Sequence, residues 1–272
     1  MDHISSRQNP IVKRFRLLLD PARDRDAAND GARLLLDGAH LLEDALNADL
    51  PIDVVAIRDD VGEGPAGELV RRAAAGGARL VSVTTSVLSA ISPVRQPSGI
   101  VAIARQKAWS LDAVLAPAPQ LILMLADVQD PGNVGAVVRA AEACGATGII
   151  TSAGTADPFG WRALRGSMGS TFRIPVAAHQ ALPAAVQHAR DRGIRVYAAI
   201  PRAGTPLPRC DLRKPSAVLL GGEGHGLQAD LVALADETLT IPMRGSVESL
   251  NVATAAALIA YEAFRQREPS AS

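Results

Sequence analysis

The run LILMLA at 121–126 is apolar without a break. A strand with one wet face alternates apolar and polar residues. An unbroken run therefore reads as a strand covered on both faces, as in a parallel sheet clothed by helices. The chain after it keeps that rhythm. Residues 132–144 (GNVGAVVRAAEAC) have helical spacing and are closed by Gly145, and TGIIT at 147–151 follows as a strand. Helical spacing returns at 180–192, 228–236 and 249–267, with strands at 194–200 (IRVYAAI), 217–220 (AVLL) and 238–243 (TLTIPM). Alternation of this kind predicts an α/β fold, a parallel sheet with helices on both faces.

The first hundred residues alternate as well. Apolar runs at 33–36, 52–57, 79–83 and 99–104 are separated by helical stretches at 39–48, 66–75 and 85–91, the last opened by Thr84 or Thr85. This predicts a small α/β unit of about four strands with no catalytic constellation in it. Ahead of it, Asn9-Pro10 reads as an N-cap and the first helical residue. Ile11, Val12, Phe15, Leu18 and Leu19 then keep helical spacing, while Arg7, Lys13, Arg14 and Arg16 are basic. A solvated helix face and an RNA-contacting arm fit those four equally. APAPQ at 116–120 reads as a linker. The expected organisation is an N-terminal domain over 1–105, a linker over 106–120 and a C-terminal domain over 121–272.

Composition removes several classes of function. Lys+Arg and Asp+Glu both number 28, which argues against binding nucleic acid by bulk charge and leaves local patches open. The two cysteines, Cys144 and Cys210, are too few for a disulfide scaffold or a four-thiolate zinc site. The five histidines show no metal-ligand spacing, so no metal is expected. Aromatics at 3% count against folds that stack bases on exposed rings. No apolar run approaches the ~20 residues of a membrane span, and MDHISSRQNPIVKRF lacks the apolar core of a signal peptide. A cytoplasmic chain with no membrane partner is expected.

Three stretches carry candidate chemistry. In DVQDPGNVGAVVRAAEACGA (127–146) a buried strand empties into turn residues and a helix, with Asn133 near the N-cap and Arg139 six residues on. A capped helix with one outward arginine is the plain reading, but this edge of a parallel sheet is also where such folds bind ligands. In LLGGEGHGL (219–227) Gly221, Gly222, Gly224 and Gly226 permit close backbone approach to a ligand. The spacing is neither G-x-G-x-x-G nor a Walker loop, and Glu223 would repel a pyrophosphate. A neutral adenosine with a cationic centre suits it better, and His225 reads as a solvated loop residue. In IPMRGSVESLNVATAAALIAYEAFRQR (241–267) Ser249 is a candidate cap. Asn251, Ala253, Thr254, Ala255, Ala256, Ala257 and Ala260 make a small-residue face suited to packing another helix or chain. Leu250, Leu258, Tyr261 and Phe264 make the stripe of an ordinary amphipathic helix.

Together, in this order, the three stretches resemble the SpoU/TrmH family of RNA ribose 2′-O-methyltransferases, within the SPOUT class. The matching patterns are Asp-x-x-Asn-x-Gly-x-x-x-Arg (130–139), Gly-x-Glu-x-x-Gly-Leu (221–227) and Ile-Pro-Met-x-Gly-x-x-x-Ser-Leu-Asn-Val (241–252). RALRGSMGSTFRIPV (162–176) is similar to the family segment between the first two. ISSRQNPIVKRFRLLL and RLLLDGAHLLEDAL resemble, more loosely, the small α/β RNA-binding domain often attached to the family, with Asp37-Gly38 where Glu-Gly is usual.

The resemblance implies a deep trefoil knot near the C-terminus of the sheet and S-adenosylmethionine held by the knot loops. Gly221, Gly222, Gly224, Ile241, Met243 and Leu250 are the implied cofactor-binding residues. Arg139, Asn133, Glu223, Ser249 and Asn251 are the implied catalytic-site residues, and the family makes Arg139 the activator of the ribose hydroxyl. An arginine, effectively always protonated in proteins, reads better as a clamp on phosphate and alkoxide than as a base. The resemblance also implies a homodimer in which both chains build the site, and an RNA substrate. Ribosomal RNA is expected, with a tRNA target or a catalytically inactive RNA-binding relative as alternatives. A nucleotide-dependent oxidoreductase lacks its glycine fingerprint. Arginines at 162, 165 and 173, and the basic run over 190–214, are candidates for an RNA track or for ordinary surface charge.

Overall fold

The computed structural model describes residues 1–19, 33–59, 64–116 and 121–268. They form two units, Met1–Lys107 with Phe159–Phe172, and Ala108–Pro158 with Arg173–Ser272.

The first unit runs β1 (Asp2–Ile4), α1 (Pro10–Leu17), β2 (Arg33–Asp37), α2 (Ala39–Asn47), β3 (Ile52–Arg58), α3 (Pro65–Ala75), β4 (Arg79–Val83), α4 (Thr85–Ile91) and β5 (Ile100–Arg105). Its mixed sheet has the order β1-β4-β3-β5-β2. Sequence periodicity led to four strands; the fifth, β1, buries only Ile4, too little to leave a pattern. The Asn9 side chain caps α1 by accepting from the Ile11 amide at 2.9 Å, and Ile11, Val12 and Phe15 are buried. Thr84, rather than Thr85, caps α4. The β3–β5 register shifts between Ile52 and Val54. Asp53, at that irregularity, accepts from Arg33 Nε at 2.6 Å and Arg105 Nε at 2.8 Å, with Arg14 at 3.5 Å.

The second unit begins with α5 (Leu111–Leu115), inside the stretch read as linker, of which 117–120 lie outside the described residues. Then come β6 (Leu121–Ala126), α6 (Pro131–Ala143) and β7 (Gly148–Ser152). Next are α7 (Trp161–Ser167) and α8 (Ser170–Arg173), which group with the first unit except for Arg173. The chain continues through β8 (Val176–Gln180), α9 (Leu182–Asp191), β9 (Arg195–Ala199), β10 (Thr205–Pro206), β11 (Ser216–Gly221), α10 (Ala229–Leu234), β12 (Glu237–Thr240) and α11 (Val252–Arg267). The sheet order is β10-β12-β9-β11-β6-β7-β8, and every pairing is parallel. All of β6 is buried, as its unbroken apolar run requires. The chain first builds outward from β6 through β7 and β8, then crosses to β9 and slots β11 between β9 and β6. That reversal puts the loops after β6 and β11 side by side at the carboxyl edge, where open α/β sheets bind ligands.

Helix α11 starts at Val252, three residues later than expected, and packs along α6. Ala256, Ala260 and Ala263 lie on its buried side with Val252 and Ile259. Of the small-residue face, Ala256 and Ala260 thus serve close packing within the chain. Leu258, Tyr261 and Phe264, read as an ordinary amphipathic stripe, are instead exposed. Among the described residues no helix is long and apolar enough to cross a membrane.

Candidate active site

Strand β6 ends in Asp127, a non-glycine residue at φ +55°, and the chain turns into α6. Asp130 caps that helix, its Oδ1 accepting from the Asn133 amide at 3.0 Å. Asn133, expected near the cap, therefore lies within the first turn, and its side chain is free for another task. Asn133 Nδ2 donates to Glu223 Oε1, and Asn251 Nδ2 donates to Asn133 Oδ1 at 3.1 Å. Asn251 is also the N-cap of α11, accepting from the amides of Ala253 and Thr254 at 2.9 and 3.3 Å. The cap expected at Ser249 belongs to Asn251, because the helix starts after it. One amide, bonded at both ends, joins stretches 90 and 118 positions apart in the chain.

The glycines after β11 make a close contact within the chain in addition to lining the cavity described below. A Cβ on Gly221 would lie 2.2 Å from the Gly226 carbonyl carbon, and one on Gly222 2.1 Å from the Asp127 carbonyl oxygen. The close approach is to the chain's own backbone. Gly222 N donates to Ala126 O at 2.8 Å, carrying the β6–β11 ladder one step past the strand, and Gly226 N returns to Gly222 O at 3.2 Å. Gly224 and Gly226 take positive φ, +90° and +62°, to close this small loop.

Beside it lies a cavity of about 510 Å3, within the roughly 300–1,000 Å3 of small-molecule sites. Gly221, Gly222, Gly224, Ile241, Met243 and Leu250 all line it, and so do Glu223, Ser249 and Asn251. Asn133 and Arg139 do not. Asn133 reaches the wall through Glu223 and Asn251. Arg139 is exposed on α6, with no hydrogen-bond or ionic partner among the described residues. Sequence reasoning missed the wall supplied by Ala199 at the end of β9 and by Ile200 and Pro201 after it, and it set aside His225, which also lines the cavity. The β9 end has no motif; only the sheet order brings it beside β12. The charged wall residues are Glu223 and Glu248, and no Lys or Arg lines the cavity.

Residues 120–261 match the SpoU rRNA Methylase family. The chain belongs to that family. Residues 9–102 of this SpoU-family chain match the MRM3-like substrate binding domain. It is 34% identical to an uncharacterized tRNA/rRNA methyltransferase of Synechocystis, over 97% of this chain and 94% of that protein. It is 31% identical to the 23S rRNA (guanosine(2553)-2′-O)-methyltransferase RlmP of Bacillus subtilis, over 96% and 98%. Among solved structures it resembles an AdoMet-bound rRNA methyltransferase from Sinorhizobium meliloti, with TM-score 0.85 and 29% identity over 97% of each chain.

Several arginines of the two runs have partners in this SpoU-family chain. Arg173 grips Glu142 with two hydrogen bonds, at 2.6 and 3.0 Å. Arg190 pairs with Asp236, Arg192 with Asp112, Arg195 with Glu237 and Arg213 with Asp211. Arg162 lies over the Trp161 ring, 5.0 Å from its centroid. Of the two cysteines, Cys210 is buried, and burial, with nearby Glu237 contributing, pushes its thiol up to about 11. It is no nucleophile at neutral pH.

Proposed function

We propose that the chain transfers a methyl group from S-adenosylmethionine to a ribose 2′-oxygen of RNA, ribosomal RNA in the first place. The observation that carries this reading is the Asn251–Asn133–Glu223 chain, which draws the three motifs to one cavity. The cavity's chemistry fits the donor. Its wall is largely backbone and aliphatic side chains, suited to a neutral adenosine. Its carboxylates favour a cation, whereas a nucleotide phosphate would meet Glu223 and Glu248 and no Lys or Arg among the described lining residues. Gly221, Gly222, Gly224, Ile241, Met243 and Leu250 would hold it. The bound donor supplies an electrophilic methyl group on a positively charged sulfur.

The rest is work for side chains. A 2′-hydroxyl loses its proton as it attacks, and a guanidinium, which stays protonated in proteins, cannot take that proton at neutral pH. Arg139 instead clamps the phosphate beside the target ribose and stabilises negative charge growing on the oxygen. The proton passes to a phosphate oxygen or to water. Asn133, fixed by Asn251 and Glu223, cannot flip its amide, so it holds the Glu223 carboxylate at one orientation. Ser249 and Asn251 orient from the same wall.

The working form is a homodimer. Arg139 lies off the cavity wall of its own chain, and Leu258, Tyr261 and Phe264 form an exposed apolar stripe on α11 of the kind that marks an interaction surface. A second copy covers that stripe and contributes to the site. The insertion of β11 between β9 and β6, and the return of α11 from the β12 edge to α6, support the knotted path expected for this fold. The protein works in the cytoplasm, on RNA.

The deciding experiment supplies the purified protein with labelled S-adenosylmethionine and RNA from cells lacking the gene, then maps ribose methylation. One methylated ribose in ribosomal RNA is expected. Label in transfer RNA alone would replace the substrate, and no label in any RNA would refute the activity.

A further inference from the structure

The second unit sorts its basic residues by sheet edge. At the amino edge each has a partner. Arg173 precedes β8, Arg190 and Arg192 close the approach to β9, Arg195 opens β9, and Arg213 and Lys214 precede β11. Their partners are Glu142, Asp236, Asp112, Glu237 and Asp211. Arg265 pairs with Glu262, and Arg267 donates to the carbonyls of Leu212 and Lys214. At the carboxyl edge the pattern inverts. Arg202, in the loop after β9, and Arg244, in the loop after β12, are exposed and have no carboxylate partner among the described residues.

These two loops also wall the cavity. Ile200 and Pro201 precede Arg202, and Ile241 and Met243 precede Arg244. They are joined at the base. Thr240 Oγ1 accepts from the Gly204 amide at 2.9 Å and donates to Ile200 O at 3.0 Å, while Ile200 N donates to Leu239 O at 2.9 Å. Neighbouring strands and this hydroxyl staple hold the two loops together. Ala203, beside Arg202, is kept at φ +65°, a costly setting for a residue with a Cβ. Two uncommitted guanidiniums thus leave a braced rim next to an acidic cavity. Among the described residues of this unit, those without an ionic partner are these two, Arg139 on α6, and Arg209 in the turn after β10.

We infer that Arg202 and Arg244 form a phosphodiester-binding rim that docks the RNA strand flanking the target nucleotide, and that the arginines of the amino edge take no part. The inference rests on the RNA-methylation reading. A guanidinium paired with a carboxylate has part of its charge and some of its five donors already engaged; one without a partner offers all of them to a phosphate. Each arginine that neutralises a phosphate releases condensed counterions, so binding weakens with salt in proportion to the number of contacts.

The test compares Arg202→Gln/Arg244→Gln with Arg192→Gln/Arg213→Gln and with the wild type, using a 23S rRNA transcript free of modification. RNA affinity is measured at several salt concentrations, and S-adenosylmethionine affinity by calorimetry. For the rim pair the slope of log K against log salt should become shallower by about 2, one for each lost contact. Its affinity for S-adenosylmethionine should stay at the wild-type value, which certifies the cavity. The amino-edge pair should keep the wild-type slope. A rim pair with the wild-type slope, or an amino-edge pair that loses as much, overturns the inference while RNA methylation stands. A wild type that neither binds nor methylates RNA overturns both.

Discussion

Replacing Gly222 by alanine tests whether the two central loops are locked by backbone contact. The new Cβ would lie 2.1 Å from the Asp127 carbonyl oxygen, 1.3 Å short of the 3.4 Å where ordinary contact begins, and 3.1 Å from Val128 Cα. Neither wall yields easily. Asp127 is held by Ser152, whose Oγ accepts from its amide at 2.9 Å and donates to its carboxylate at 2.7 Å. On the other side Gly222 N is tied to Ala126 O. Overpacking a close-fitted site costs about 1–3 kcal/mol, and with backbone on both sides the upper half of that range is expected. Any shift that relieves the clash also carries Glu223 away from Asn133. Urea unfolding should show a lower midpoint at unchanged slope. Calorimetry should show S-adenosylmethionine binding weakened at least tenfold, about 1.4 kcal/mol. Gly224→Ala is the contrast. Nothing lies within 4 Å of its Cβ, and only its φ of +90° resists a side chain, which costs about 1–2 kcal/mol. If Gly222→Ala unfolds at the wild-type midpoint, or is milder than Gly224→Ala, the close approach is not what holds these loops.

Arg139→Ala should cut methyl transfer by about a hundredfold or more, the scale of losing a donor to a developing oxyanion, with donor affinity kept; equal loss of both in parallel kinetic and calorimetric runs would make the residue structural. Burial raises the Asp53 carboxyl, but the hydrogen bonds and charges of Arg105 and Arg33 outweigh it and leave it below its usual 3.8. Its folded pKa is depressed, so its stabilisation is present above that value and is lost as pH falls through the folded one. Asp53→Asn should therefore cost about 1–2 kcal/mol at pH 7 and progressively less below about pH 4; urea midpoints offset equally at both pH values would contradict this. Leu258→Asp with Tyr261→Asp should convert a dimer to monomers in sedimentation and abolish transfer, and a monomeric wild type would remove the dimer from the mechanism.

What could be read of the fold followed from burial. Strand β6 is apolar on both faces because helices cover both, and that is visible in six letters. Helices α3 and α4 were placed to within a residue because caps and breakers, Pro65 and Thr84 among them, sit at their ends. The elements that left no trace are short. Strand β1 buries one side chain and β10 has two residues. Strand β10 lies at the sheet edge and pairs with β12. The grouping of Phe159–Phe172 with the first unit was hidden for another reason. Chain order carries no record of which core Trp161 joins, and Trp161 packs against the first unit's core cluster, which includes Phe15 and Leu88.

At the site, the residue types were legible and their tasks were not. Asn133 looked like a cap because asparagine often is one, yet Asp130 stands three residues earlier and takes the same amide. Once Asp130 caps α6, the Asn133 amide must find both a donor and an acceptor elsewhere, and a parallel sheet with β11 beside β6 offers them in Asn251 and Glu223. The glycines follow the same logic. Glycine after a strand signals close approach, but whether a ligand or the chain itself approaches depends on which strand is next door. Here it is β6, so Gly222 accommodates Asp127. Sheet order therefore decides which motif residues meet. The cavity takes its shape from loops that meet through backbone at Gly222 and through the Asn251–Asn133–Glu223 side chains, so a change at any of these contacts reaches its wall.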